Sequence, residues 1–383
     1  MNRVECLDGL RGLAALWVLL GHAMLLTGFR PPLLSQPDLG VDLFILLSGF
    51  LMVFQYNVRS AFEDWDLPKT WVSFWLRRFF RIAPLFYVTL FFALAYGPEL
   101  YADRMVVDAF LGGKPQAESR YLDDSLTNIV LHVSFLFGLI PNFAYRTPLP
   151  DWSLGLEMQF YAVFPLVVLL ARKAGWIAAA FVAGATGVVL ATASSAVALD
   201  FPMPAFLPLK FHVFVAGMLI AAAGSKLERS GWVYLAVACA FVALPIGPHS
   251  DRLHVVVRVG MVVAFFALLY LRQTRLVDSA SILLGKPFFH WLGELSFGAY
   301  LIHLLLMQPA AAWAIHYLEP DSSASARFIL VSAVVLPSTY TLALLGYWGV
   351  ELPGQRLGKI CVKKLLGSRN AAQQTVAEKI AAP

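Results

Sequence analysis

Charge is what this chain has least of. Asp, Glu, Lys and Arg make up 14% of its 383 residues, where a soluble domain carries about 25%. That excludes a water-solvated surface over most of the length. Cysteine is also scarce: Cys6, Cys239 and Cys361 are scattered, with neither a disulfide framework nor metal-ligand spacing. No P-loop, dinucleotide fingerprint or nucleophile elbow occurs. Asp38 and Asp42 have too few companions to hold a metal, so none is expected. The net charge is +5, yet no basic–aromatic run lies outside the apolar stretches, and nucleic acid is not an expected partner. What the composition does hold is 59% hydrophobic residues, arranged in recurring runs. Runs of about 20 residues cross a hydrocarbon core as helices.

The expected fold is all-α: a polytopic membrane protein with about ten transmembrane helices and one long external re-entrant insertion. The spans read as about 9–29, 40–57, 74–96, 152–171, 175–199, 206–223, 231–247, 253–272, 292–317 and 327–350. An eleventh apolar run, Ile129 to Ile140, is too short to cross. Charge placement agrees. With ten crossings and a cytoplasmic N-terminus, Arg77, Arg78, Arg81, Arg172, Lys173, Arg272, Arg275 and Lys286 fall inside with the basic tail. Arg30, Lys210, Arg252, Arg258 and Arg327 fall outside. A crossing at 129–140 would export the tail, against the rule that Lys and Arg gather inside. Residues 1–366 are thus expected to form one transmembrane domain, with the external insertion at about 97–151. Residues 367–383 are expected to be a disordered cytoplasmic tail. The expected setting is the cytoplasmic (inner) membrane, among lipids, with both termini in the cytoplasm. The first apolar stretch contains Arg11 and His22 and lacks a small-x-small cleavage site, so it reads as a span and not a signal peptide.

Arg11 and His22 lie eleven positions apart. That is roughly three helical turns, so both occupy one face, about 16 Å apart along the axis. Ionisable groups in a membrane helix face protein or water. The pair therefore suggests a lined cavity, against the blander reading that Arg11 snorkels and His22 merely packs. In the third span Arg78 and Arg81 are three apart, on one face at the same depth as Arg11. Three guanidiniums converging there would form a cradle for phosphates. On the opposite side, Asp151 reads as an N-cap, with Glu157 two turns into the fourth span. Asp42 lies near the external end of the second span, and Ser48-Gly49 offers a small-residue packing face. Ser296, Tyr300 and His303 fall on one stripe of the ninth span. Imidazole is the usual general base near neutral pH. A secondary transporter of a small anionic metabolite is the competing reading, since buried charge is equally typical of transporters. Against it stands the lack of an inverted repeat.

These motifs resemble the integral-membrane acyltransferase-3 family, from Leu7 to about Lys359. The family's Arg–ten residues–His signature is similar to Arg11 and His22 in their Leu-Asp-Gly-Leu-Arg context. Its Gly-Val-Asp-Leu-Phe…Ser-Gly-Phe block resembles Gly40 to Phe50, and its Arg-x-x-Arg motif resembles Arg78 and Arg81, with Pro84 and Tyr87 following. Trp152, Ser153, Leu154, Glu157, Phe160 and Tyr161 match a further block, as does the run from Leu292 to His303. Phe297 stands where many members have tyrosine, so that hydroxyl is absent here. The resemblance implies a ten-span enzyme that moves an acyl group, commonly acetyl, from cytoplasmic acetyl-CoA. The acceptor would be a hydroxyl of a glycan or lipid-linked saccharide at the outer face; some members act on macrolides or other small molecules. Other members carry a hydrolase-like domain, and a stand-alone form is expected here. In this reading Arg11, Arg78 and Arg81 bind the coenzyme phosphates, and His22 and Glu157 are catalytic. Glu157 orients His22 or the sugar, and Trp152 stacks on the sugar. Asp42, Ser153, Tyr161, Ser296, Tyr300 and His303 complete the substrate-binding set. Direct attack on the thioester and a transient acyl-imidazole on His22 both remain open.

Overall fold

A computed structural model describes residues 6–366 apart from 198, 225–228, 249 and 319–321. The expected tail at 367–383 lies outside the described residues. The described chain holds fifteen α-helices and no strand. They are α1 (Cys6–Thr27), α2 (Pro37–Arg59), α3 (Pro68–Ala95), α4 (Gly97–Leu111), α5 (Ser119–Leu122), α6 (Leu126–Val133) and α7 (Trp152–Ala196). There follow α8 (Phe211–Ala222), α9 (Arg229–Val242), α10 (Arg252–Tyr270), α11 (Arg275–Leu284), α12 (Pro287–Glu294), α13 (Ser296–Tyr317), α14 (Ala324–Gly346) and α15 (Leu352–Leu366).

Seven helical stretches among the described residues are long and apolar enough to cross a membrane. One of them, α7, is broken by Gly175, whose φ of 83° is open to glycine at little cost. Phe160 and Gly187, on either side of the break, both pack on Phe211. In a straight helix these two would stand about 40 Å apart. The chain therefore doubles back at Gly175, and 152–174 and 176–196 are separate passages. Two shorter apolar helices, Phe211–Ala222 and Ser230–Val242, bring the helical passages to the expected ten. Proline at the first turn of α2, α3 and α12 fits their starts, because the lost N–H has no intrahelical partner there.

The 129–140 run does not cross. It contains the end of α6, an eight-residue helix, and one 3-10 turn, with a second 3-10 turn directly after it. The insertion it belongs to packs back on the bundle. The Tyr121 hydroxyl donates to Gln308 Oε1 on α13 at 2.7 Å, and the Tyr87 hydroxyl on α3 donates to the Val133 carbonyl at 2.7 Å.

The closest helix pairing joins α2 to α8. A Cβ built on Gly49 would lie 2.1 Å from the Phe214 carbonyl oxygen, and one on Gly217 would lie 2.0 Å from the Leu46 oxygen. Small residues let the two backbones meet, as membrane helices commonly do. Because the obstacle is backbone, Gly217→Ala should lower stability by about 1–3 kcal/mol. Thermal unfolding of the detergent-purified protein checks this; an unchanged midpoint would rule out so close an approach.

Candidate active site

Arg11 on α1 and Arg78 and Arg81 on α3 line one cavity, with an empty volume of about 950 Å3 including its open mouth. Ser153, Glu157 and Tyr161 on α7 and Tyr300 on α13 line it too. Seven of the twelve expected site residues therefore meet in one place, from four helices.

The arginine end gathers three guanidinium groups. Arg78 donates to Gln55 Oε1 and lies over the rings of Tyr161, at 5.4 Å, and Phe74, at 5.7 Å. Its Nε is buried with no hydrogen-bond partner among the described residues. A buried, charged N–H left unmade is costly, and an oxyanion in the cavity would satisfy it. Arg11 reaches no nearer than 4.0 Å to Asp8, and Arg81 has no ion pair among the described residues. The site thus concentrates guanidinium donors whose geometry matches phosphate.

Glu157 does not touch His22. Its Oε1 accepts from the Ser48 hydroxyl at 2.8 Å and from the Tyr161 hydroxyl, so it organises the cavity wall between α2 and α7. Tyr300 lines the cavity away from the arginines. Its hydroxyl donates to the Pro150 carbonyl at 2.6 Å and accepts from Ser153 Oγ at 2.7 Å.

His303, one turn beyond Tyr300, meets His22 there. The two rings lie 5.1 Å apart, and His303 Nε2 is 3.1 Å from His22 Nδ1. Their tautomers follow from the backbone. His303 Nδ1 is 2.7 Å from the Tyr300 carbonyl, so a neutral ring carries its proton there and Nε2 accepts. His22 Nδ1 faces that acceptor and the Val18 carbonyl at 3.0 Å, so it too is protonated. The lone pair of His22 is left on Nε2, the atom a base needs. The α1 stripe is thus divided: Arg11 lines the cavity, whereas His22 lies past Tyr300, joined to it through His303.

Four further expectations are corrected in position. Asp42 is buried and taken up by Lys210 Nζ and Arg258 Nε, each at 2.6 Å, and stays out of the cavity. Trp152 is packed into the core, with no free face for a sugar. Ser296 turns away and donates to the Gly293 carbonyl at 2.7 Å. Asp151 sits at the helix start but makes no capping bond; its carboxylate accepts from Thr147 Oγ1 at 2.7 Å, with His132 Nε2 at 3.6 Å. Burial pushes the Asp151 carboxyl up, with His132 and the Thr147 bond opposing. Lys210 and Arg258, read from sequence as loop residues, are the partners that reading missed. The available signal was Arg258 inside the 253–272 run, where an unpaired arginine is costly.

Ten apolar helical passages, several of which line one guanidinium-bearing cavity, define a multi-pass membrane protein. The chain belongs to the acyltransferase-3 family: the family model, described as an acyltransferase domain, matches residues 4–348. It is similar to a Komagataeibacter xylinus protein named as a membrane-bound transacylase, BcsY, at 34% identity over 44% of this chain and 38% of that protein. It is also similar to the peptidoglycan O-acetyltransferase OatA of Listeria monocytogenes, 29% identical over 44% of this chain and 25% of that one. The O-acetyltransferase OatA of Staphylococcus aureus (strain NCTC 8325) is 30% identical over 42% of this chain and 24% of its own. The match thus spans between a quarter and two fifths of these relatives. No solved structure matches the chain.

Proposed function

We propose that this protein is a membrane O-acyltransferase that moves an acyl group, acetyl in the simplest case, from acyl-CoA to a hydroxyl of a surface glycan or lipid-linked saccharide. The observation that carries the reading is the single cavity in which Arg11, Arg78 and Arg81 converge and whose far end meets the His303–His22 pair. The arginine end would face the cytoplasm, where the donor is made, and the histidine end the outer face of the cytoplasmic membrane. The names of the OatA relatives support a glycan acceptor and an acetyl group.

In this mechanism the three arginines hold the donor's phosphates, and its thioester supplies the acyl group. His22 Nε2 takes the proton from the acceptor hydroxyl as that oxygen bonds to the thioester carbonyl carbon; the C–S bond then breaks, and the imidazolium returns the proton to the departing coenzyme thiolate. His303 keeps that lone pair in place by accepting from His22 Nδ1, which makes it a positioning residue. Tyr300, which lines the cavity and lies 6.0 Å from His303 between ring centroids, links the cavity to the imidazole pair.

Inverted membrane vesicles given acetyl-labelled acetyl-CoA test the reading. Label is expected as a base-labile ester on glycan; label sequestered without an ester would indicate transport instead. Arg78→Ala should raise the donor KM about tenfold or more, the worth of a charge-assisted hydrogen bond, and leave the acceptor KM unchanged. An unaltered donor KM would remove the phosphate-binding role.

A further inference from the structure

Between α14 and α15 the chain makes one π-helical turn, Tyr347–Glu351. Such turns insert an extra residue and recur at functional sites. Here the inserted geometry aims Glu351 inward. The side chain is 4% exposed, and its Oε1 has no hydrogen-bond partner among the described residues. Arg81 and Arg11 are the cations that bear on it electrostatically. The same oxygen lies 3.4 Å from where a Cβ on Gly298 would sit, beside the cavity-lining Phe297.

The surroundings fix it there. Gly354 and Gly358, one turn apart on α15, meet Pro84 and Phe80 of α3, with built Cβ distances of 2.5 and 2.7 Å. Glu351, three residues before Gly354, lies on the same face and so is carried to the level of Arg81. A buried carboxylate without a partner is expensive, and it is retained behind two cations that it does not bond. Arg11 and Arg81 in turn repel each other.

We infer that Glu351 is an internal counter-anion of the donor site, competing with the bound coenzyme's phosphates for Arg81 and Arg11. This rests on the reading of the arginine cluster as the donor-phosphate site. The phosphates are the same in acyl-CoA and in free coenzyme A, so a tight hold on them is uniform binding that also retains the product. Glu351 loosens that hold and lets the spent coenzyme leave.

Equilibrium binding of coenzyme A to the purified full-length protein tests this without knowledge of the acceptor. Glu351→Gln, which keeps the shape and removes the charge, should bind coenzyme A about tenfold more tightly, as expected for one nearby charge at an intermediate dielectric. Its affinity should also fall more steeply with salt. Glu351→Asp retains the charge and should stay within about twofold of wild type. Glu351→Met removes the same charge with an apolar side chain and serves if the Gln variant does not fold. A merely structural glutamate would give weaker binding or a lower unfolding temperature in these variants. Equal or weaker binding by folded, uncharged variants overturns the inference. A wild-type protein that does not bind coenzyme A overturns the donor-site reading itself.

Discussion

Replacing His22 with alanine is expected to reduce acyl transfer by at least about 10²-fold, the usual contribution of a positioned general base, in protein that reaches the membrane in normal amount. The loss follows from one atom. His22 Nδ1 is occupied by the Val18 carbonyl and His303 Nε2, so only Nε2 can accept a proton. Glu157 does not stand in for it, because that carboxylate of the cavity wall is engaged by Ser48 and Tyr161. His303→Ala should cost less, since the base survives and loses only its orienting partner. Donor binding should be untouched in both, because neither imidazole lines the arginine cavity. Quantifying the acyl ester by mass spectrometry, with coenzyme A binding measured in parallel, separates these effects. Undiminished product from His22→Ala membranes would eliminate the base.

The alignment of Arg11 with His22 was legible because eleven residues nearly complete three turns, and periodicity along one helix is a local property. Convergence of Arg11 with Arg78 and Arg81 was legible from depth, since membrane thickness fixes a common ruler for every span. What periodicity could not say is where a neighbouring helix closes the space. Tyr300 of α13 lines the cavity that Arg11 also lines and His22 does not, bonded there to Ser153 of α7 and to the Pro150 carbonyl. The placement of Trp152 was not legible because the same residue suits a sugar platform or a packed core, and its packing depends on the neighbouring helices. Glu351 escaped notice because the tenth span read as ending near 350, whereas the chain continues through the π turn into α15.

Asp42 illustrates the same limit with the largest structural consequence. Its partners Lys210 and Arg258 lie 168 and 216 positions away, on segments whose pairing leaves no local trace. The three side chains are each about 1% exposed and join α2 to the start of α8 and to α10. Asp42→Ala removes one carboxylate and leaves two buried cations facing each other. Removing a single partner from such a group typically costs about 3–5 kcal/mol, so a marked fall in the unfolding midpoint is expected in detergent. Replacing all three with apolar residues of similar volume, Asp42→Leu with Lys210→Met and Arg258→Met, should recover part of the loss, because the two cations that Asp42 separated are then gone as well. An acceptor-binding Asp42 predicts the opposite pattern: Asp42→Ala would keep its midpoint while losing turnover, and the triple variant would stay inactive. The geometry favours stability over contact with substrate, since both carboxylate oxygens are already bonded at 2.6 Å and neither borders the cavity.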